Sequence, residues 1–156
     1  MTTALYQHIL VPFDGSDPSE KALREAVRLA QGTGAQLSLL HVVDELNYVT
    51  GFEPAMNYVN EIIPLMREAG EKILAHASQL ALDAGVQADK VLITESFGRI
   101  SDHVSAEAAR RNVDLIVVGS HGRRGVGRVL LGSDAEQIVR HATVPVLVIR
   151  APEIEE

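Results

Sequence analysis

Between Asp114 and Arg150 the chain reads DLIVVGSHGRRGVGRVLLGSDAEQIVRHATVPVLVIR: an apolar run, a glycine-rich stretch, a helix signal and a second apolar run. Leu115 to Val118 is short, wholly apolar and ends abruptly at Gly119, the pattern of a parallel strand covered on both faces. Gly119, Gly122, Gly125, Gly127 and Gly132 then fall within fourteen positions. So many glycines let backbone N–H groups approach a ligand closely, as in anion-binding nests, at a cost in unfolded-state entropy that a mere connector would not justify. Ser133 followed by Glu136 carries the spacing of a capping box and predicts a helix start there. A helix N-terminus offers unpaired N–H groups and partial positive charge to a phosphate. Pro145 to Ile149 predicts a closing strand.

Upstream, the chain alternates strand and helix signals. His8 to Phe13 predicts a strand, and DGSDPSE after it supplies a turn with Asp17 as N-cap, Pro18 at the first helical position and Glu20 at the third. Ala22, Leu23, Ala26, Val27 and Ala30 recur at helical spacing, and Gly32 with Gly34 ends that helix. Leu37 to Val43 predicts a second strand. Asp44 to about Asn57 lacks periodicity and reads as a long loop carrying Tyr48 and Phe52. A helical pattern from Tyr58 to Ala84 runs through Ile62, Leu65, Met66, Ala69, Ile73, Leu74, Ala77, Leu80 and Ala81, with an irregularity expected near Pro64. Val91 to Thr94 predicts a third strand, and Ile100 to Arg111 a helix with Val104, Ala108 and Ala109 inward. Such alternation argues for an α/β domain around a parallel sheet.

Composition narrows the function. A chain of 156 residues is the size of one domain. Its formal net charge of −7 sets it against nucleic acid and anionic lipid surfaces. Arg123, Arg124, Arg128 and Arg140 nevertheless cluster around the glycine stretch, so an anionic ligand fits locally. The chain has no cysteine, which excludes disulfides and thiolate chemistry. The first residues, MTTALYQHILVPFDG, lack a basic signal-peptide start, and no segment reaches membrane-spanning length, so the expected location is cytoplasmic. Six histidines form no H-x-x-x-H pair, and no structural metal site is expected.

The spacing of the glycine stretch selects among phosphate loops. No G-x-x-x-x-G-K-[ST] occurs, and Leu130 breaks a G-x-G-x-x-G reading from Gly125 and Gly127. What stands there is Gly119, Gly122, nine further residues, then Gly132 and Ser133. Together with the VPFDGSDPSEKAL opening, the LLHVVDE segment and the VPVLVIR ending, that spacing resembles the ATP-binding motif of the universal stress protein family over nearly the whole chain, 1–150, with 151–156 as an acidic tail.

The resemblance implies a single doubly wound domain, Rossmann-like and similar to the adenine nucleotide α hydrolases, with a five-stranded parallel sheet in the order 3-2-1-4-5. Ligands of such sheets bind at the carboxyl ends of the strands where the order reverses. It further implies ATP or AMP as ligand, with Mg²⁺ where phosphates need it, and a homodimer formed by pairing the last strand, Val144 to Ile149, across a twofold axis. The residues matching the family's pocket are Pro12, Asp14, Val42, Val118, Gly119, Ser120, His121, Gly122, Arg123, Gly132, Ser133 and Asp134. Among them Val42 would meet adenine through its backbone, and Asp14 and Gly119 the ribose.

Several of these residues carry a second reading. Ser133 can meet a phosphate or cap its own helix. Asp14 repels a polyphosphate, so it either accepts from ribose hydroxyls, holds Mg²⁺, or only shapes a turn. His121 is an acid or base in reach of neutral pH or a bystander. Arg123, Arg124 and Arg128 pair with phosphates or point to solvent. Tyr48 and Phe52 cover the adenine side or pack the loop on the sheet. Asp134 is acidic where a small apolar residue is the family's habit. Hydrolysis needs a positioned water, a base and charge neutralisation; Asp14 and Asp134 are the only acids in reach and the loop has no lysine, so at most a slow ATPase or a nucleotidyl- or phosphoryl-transfer enzyme is expected.

Overall fold

The computed structural model describes residues 5–43, 52, 54–94, 98–121 and 131–150. Its apolar runs form β1 (His8–Pro12), β2 (Gln36–Val42), β3 (Ala88–Ile93), β4 (Leu115–Gly119) and β5 (Val146–Ile149), all parallel, in the order β3-β2-β1-β4-β5. The order 3-2-1-4-5 is thus observed.

Strand periodicity sorts the core into two layers. Ile9, Val11, Leu37, Leu39, Leu115 and Val117 point to one face and pack on α1 (Asp17–Thr33) and α3 (Ile63–Asp83). Leu10, Leu40, Val91, Ile116 and Val118 point to the other face, onto α4 (Ile100–Arg110) and α5 (Ser133–His141). Burial on both faces is why these strands read as continuous apolar runs rather than as alternating ones. The connections leaving β1 and β4 depart to opposite faces, which opens a crevice at their carboxyl ends.

Local chemistry moves several boundaries. Ser16, not Asp17, is the N-cap of α1, its hydroxyl accepting from the Ser19 N–H at 3.4 Å. Asp14 sets this by reaching two residues forward to the Ser16 N–H at 2.9 Å, an Asx-type turn that advances the helix start. At the other end Gly34 adopts φ 72° and returns its N–H to Ala30, a left-handed cap that a side chain would strain.

The region read as loop up to Asn57 is helical from Ala55: α2 (Ala55–Asn57) runs into a π turn over Tyr58–Ile62. Pro64 causes the widening. It has no N–H and its ring would strike the carbonyl of Asn60, so the Ile63 N–H instead bonds five residues back to Tyr58. Tyr48 lies outside the described residues, and Phe52 is 92 % exposed, so it does not pack on the sheet. Leu65 is likewise exposed, whereas Gly70 is buried.

In α4 the expectation for Ala109 is corrected: it is exposed, and Glu107 is buried in its stead. Apolar periodicity cannot find such a position. Glu107 tolerates burial because Arg110 at 2.7 Å and Arg111 at 3.1 Å neutralise it.

Candidate functional site

The carboxyl ends of β1 and β4 and the N-termini of α1 and α5 converge on the crevice. β1 and β4 pair at Ile9 with Leu115 and Leu10 with Ile116, near their amino ends. Beyond that ladder β1 ends at half-buried Pro12, and Val118, 3 % exposed, is the last residue of β4 but one. Val42 ends β2, next to β1.

Gly119 sits where α1 crosses the end of β4. A Cβ on Gly119 would lie 2.7 Å from both the carbonyl carbon and the oxygen of Pro18. Only glycine admits that approach, so packing alone accounts for Gly119, whatever ligand it meets.

Asp14 follows β1 directly. One of its oxygens accepts from the Ser16 N–H at 2.9 Å and from the Ser16 hydroxyl at 2.5 Å. The turn before it is clamped twice: the Phe13 N–H donates to Leu40 O at 2.7 Å, and His41 Nδ1–H donates to Phe13 O at 2.8 Å. Ser16 and His41 are therefore part of the site's scaffold, and motif reading missed both. For Ser16 the signal was present as D-x-S, the spacing of an Asx turn; for His41, inside an apolar strand, there was none.

On the β4 side, Ser120 is 4 % exposed and ties three elements together. Its N–H donates to Ile149 O of β5 at 2.9 Å, and its carbonyl accepts from the Gly132 N–H at 2.6 Å, drawing the start of α5 to the crevice. Its hydroxyl lies 3.1 Å from His121 Nδ1, while His121 Nε2 is buried with no hydrogen-bond partner among the described residues.

The predicted capping box at Ser133 is not formed. Gly132 is the N-cap of α5, with φ −58° and no side-chain cap bond, so Ser133 is the first helical residue, exposed at the helix end. Asp134 follows it, also exposed. The hydroxyl of Ser133 is thus not engaged in capping, which removes the competing use for it. Gly122 and Arg123, with Arg124, Gly125, Gly127 and Arg128, lie outside the described residues.

The electrostatics of the described part are mixed. Two helix N-termini bring partial positive charge, yet the first turns carry Asp17 and Glu20 in α1 and Asp134 and Glu136 in α5. Among the described residues no group of three or more His, Asp or Glu side chains could hold a metal ion, and no helix is long and apolar enough to cross a membrane.

The fold, a five-stranded parallel sheet in the order 3-2-1-4-5, recurs in known proteins. A universal stress protein of Bacillus subtilis, YxiE, is 36 % identical over 151 residues, 94 % of this chain and 100 % of its own. In structure, the hypothetical protein MJ0577 superposes with a TM-score of 0.81 at 25 % identity, covering 96 % of this chain and 99 % of its own. A universal stress protein solved in complex with cAMP superposes with a TM-score of 0.66 at 27 % identity, over 95 % of this chain and 98 % of its own. The model of the universal stress protein family matches residues 5–150. With sheet order and sequence in agreement over that span, the chain belongs to the universal stress protein family.

Proposed function

We propose that this protein binds an adenine nucleotide, ATP or AMP, in the crevice between β1 and β4 and acts as a cytoplasmic regulatory homodimer in the stress response. The observation that carries the reading is the start of α5: Gly132 is drawn to Ser120, and the Ser133 hydroxyl stands at a helix N-terminus without a capping role. Such an end suits a phosphate. The relative solved with cAMP supports adenine nucleotides as the ligand class.

In this reading Pro12, Val42 and Val118 border the base and ribose, with the backbone of Val42 facing adenine. Asp14 and Gly119 meet the ribose. Ser120, His121, Gly122, Arg123, Gly132, Ser133 and Asp134 surround the phosphates. Because Asp14 and Asp134 both carry negative charge, a triphosphate would bind as its Mg²⁺ complex, the ion supplying the charge neutralisation that the carboxylates cannot. Switching requires that the nucleotide favour one conformation of the dimer; equal affinity for two states would shift nothing.

Calorimetric titration with MgATP and AMP tests the site. Ser133→Ala is expected to weaken binding about five- to tenfold, the equivalent of roughly 1 kcal/mol for one hydrogen bond to phosphate. Because the hydroxyl does not cap α5, unfolding stability stays within about 0.5 kcal/mol of the parent. A stability loss with unchanged affinity would assign Ser133 to the fold alone. Turnover is expected to be negligible, and steady-state phosphate release well above background would favour the hydrolase reading.

The dimer is proposed to form through β5, a sheet edge whose Leu147 is 38 % exposed. An unpaired edge of V-L-V-I invites a second strand. Sedimentation at micromolar concentration is expected to give twice 16.9 kDa, and Leu147→Lys a monomer. A monomeric parent protein contradicts the assembly.

A further inference from the structure

The sheet's other edge is built differently. β3 pairs only with β2 among the described residues. The Val43 N–H donates to Ile93 O at 2.9 Å, so the backbone groups of Ile93, and by alternation those of Val91 and Asp89, turn toward β2. Those of Lys90, Leu92 and Thr94 turn outward.

These same three residues line one side of a recess of about 310 Å³ between β3 and α3, and Arg67, Glu71 and Leu74 line the other. The spacing is regular on both walls: alternate residues of a strand, and positions i, i+4 and i+7 of a helix. Leu74 and Leu92 make the floor apolar. Gly70 lets the two walls meet, since a Cβ there would lie 2.5 Å from Leu92 Cδ1.

The recess also carries a local excess of positive charge. Neighbouring charges are spoken for: Lys72 pairs with Glu68 at 3.3 Å, and Asp89 turns away to Arg111 at 3.9 Å. Among the described residues Arg67, Lys90 and Glu71 form no ion pair, which leaves two cations against one carboxylate in a chain of net charge −7.

We propose that the β3 edge and the β3–α3 recess bind an acidic peptide segment of a partner protein by strand addition. The peptide's main chain would pair with the outward N–H and C=O groups of Lys90, Leu92 and Thr94. An alternate aliphatic side chain would enter the recess over Leu74 and Leu92, and flanking carboxylates would meet Arg67 and Lys90. This mode draws affinity from backbone bonds and selectivity from the pocket between strand and helix. Lys90 also disfavours a second copy of this chain here, since a twofold pairing would bring two Lys90–Arg67 clusters together. The inference does not depend on nucleotide binding.

The test uses the full-length protein and a fluorescein-labelled acetyl-EVEVEV peptide at low ionic strength, read by fluorescence anisotropy, with acetyl-KVKVKV as the control. Saturable binding of the acidic peptide alone is expected. Lys90→Gln should weaken it about threefold through charge, and Lys90→Pro, which also removes an outward N–H without touching the bonds to β2, about tenfold or more. The amides of Leu92 and Thr94 should gain protection from hydrogen exchange on binding. Equal binding of both peptides, no binding up to about 1 mM peptide, or an affinity indifferent to Lys90→Pro would overturn the proposal. So would self-association that Lys90→Pro abolishes, because it would make a second copy the occupant.

Discussion

Gly119→Val is expected to cost the fold about 3 kcal/mol or more, within the upper range for overpacking. The cause is local. A Cβ at Gly119 would lie 2.7 Å from the Pro18 carbonyl carbon and oxygen and 2.9 Å from the Pro18 Cβ, and two of these atoms are backbone that cannot rotate aside. Either β4 or the start of α1 must move. Since Ser16, Asp14 and the cap of α1 are tied to one another, the displacement reaches the crevice as well. Urea unfolding measures the first effect, and a midpoint shift of roughly 6–12 °C in thermal unfolding is the equivalent for a chain of this size. Gly119→Ala should show a smaller shift of the same sign. An unchanged midpoint for Gly119→Val would mean that α1 does not seat against β4 as described.

The second large effect is on the ligand. Gly132 has φ −58°, a conformation open to any residue, and its N–H is fixed to Ser120 O at 2.6 Å. Gly132→Val is therefore expected to fold, losing about 1 kcal/mol because valine is a poorer N-cap than glycine. Its branched side chain would stand in the approach to the α5 N-terminus, where the phosphates are proposed to lie. Nucleotide affinity is expected to fall about a hundredfold, some 2.7 kcal/mol. The contrast between the two glycines is informative: one change breaks packing, and the other spares the fold and closes the site.

Much of the fold was legible because apolar periods of two and of 3.6 survive in the chain. β1, β4 and β5 stand where continuous apolar runs predict them, and α1, α4 and α5 begin within a residue of their predicted starts. What escaped was the competition among short polar residues near helix ends. Asp17 and Ser133 both fit cap patterns, yet Asp14 hands the cap of α1 to Ser16, and the bond from Gly132 to Ser120 shifts α5 so that Ser133 falls inside the helix. Contacts across the sheet also left no trace in the pattern. The close approach of Pro18 to Gly119, the clamp of His41 on Phe13 and the burial of Glu107 between arginines each depend on residues distant in sequence or on charge neutralisation. The glycine spacing led to the crevice by resemblance, but its middle, Gly122 to Leu130, lies outside the described residues.

The nucleotide content of the protein as purified decides whether the crevice between β1 and β4 holds a ligand. The protein, isolated without added ligand, is denatured and its supernatant resolved by chromatography, with Gly132→Val carried in parallel and both then titrated with MgATP. Adenine nucleotide is expected to be released from the parent protein and not from the variant, or, where the parent is isolated empty, MgATP is expected to bind saturably to the parent and not to the variant. A folded parent protein that releases no nucleotide and binds neither MgATP nor AMP would contradict nucleotide binding in the crevice.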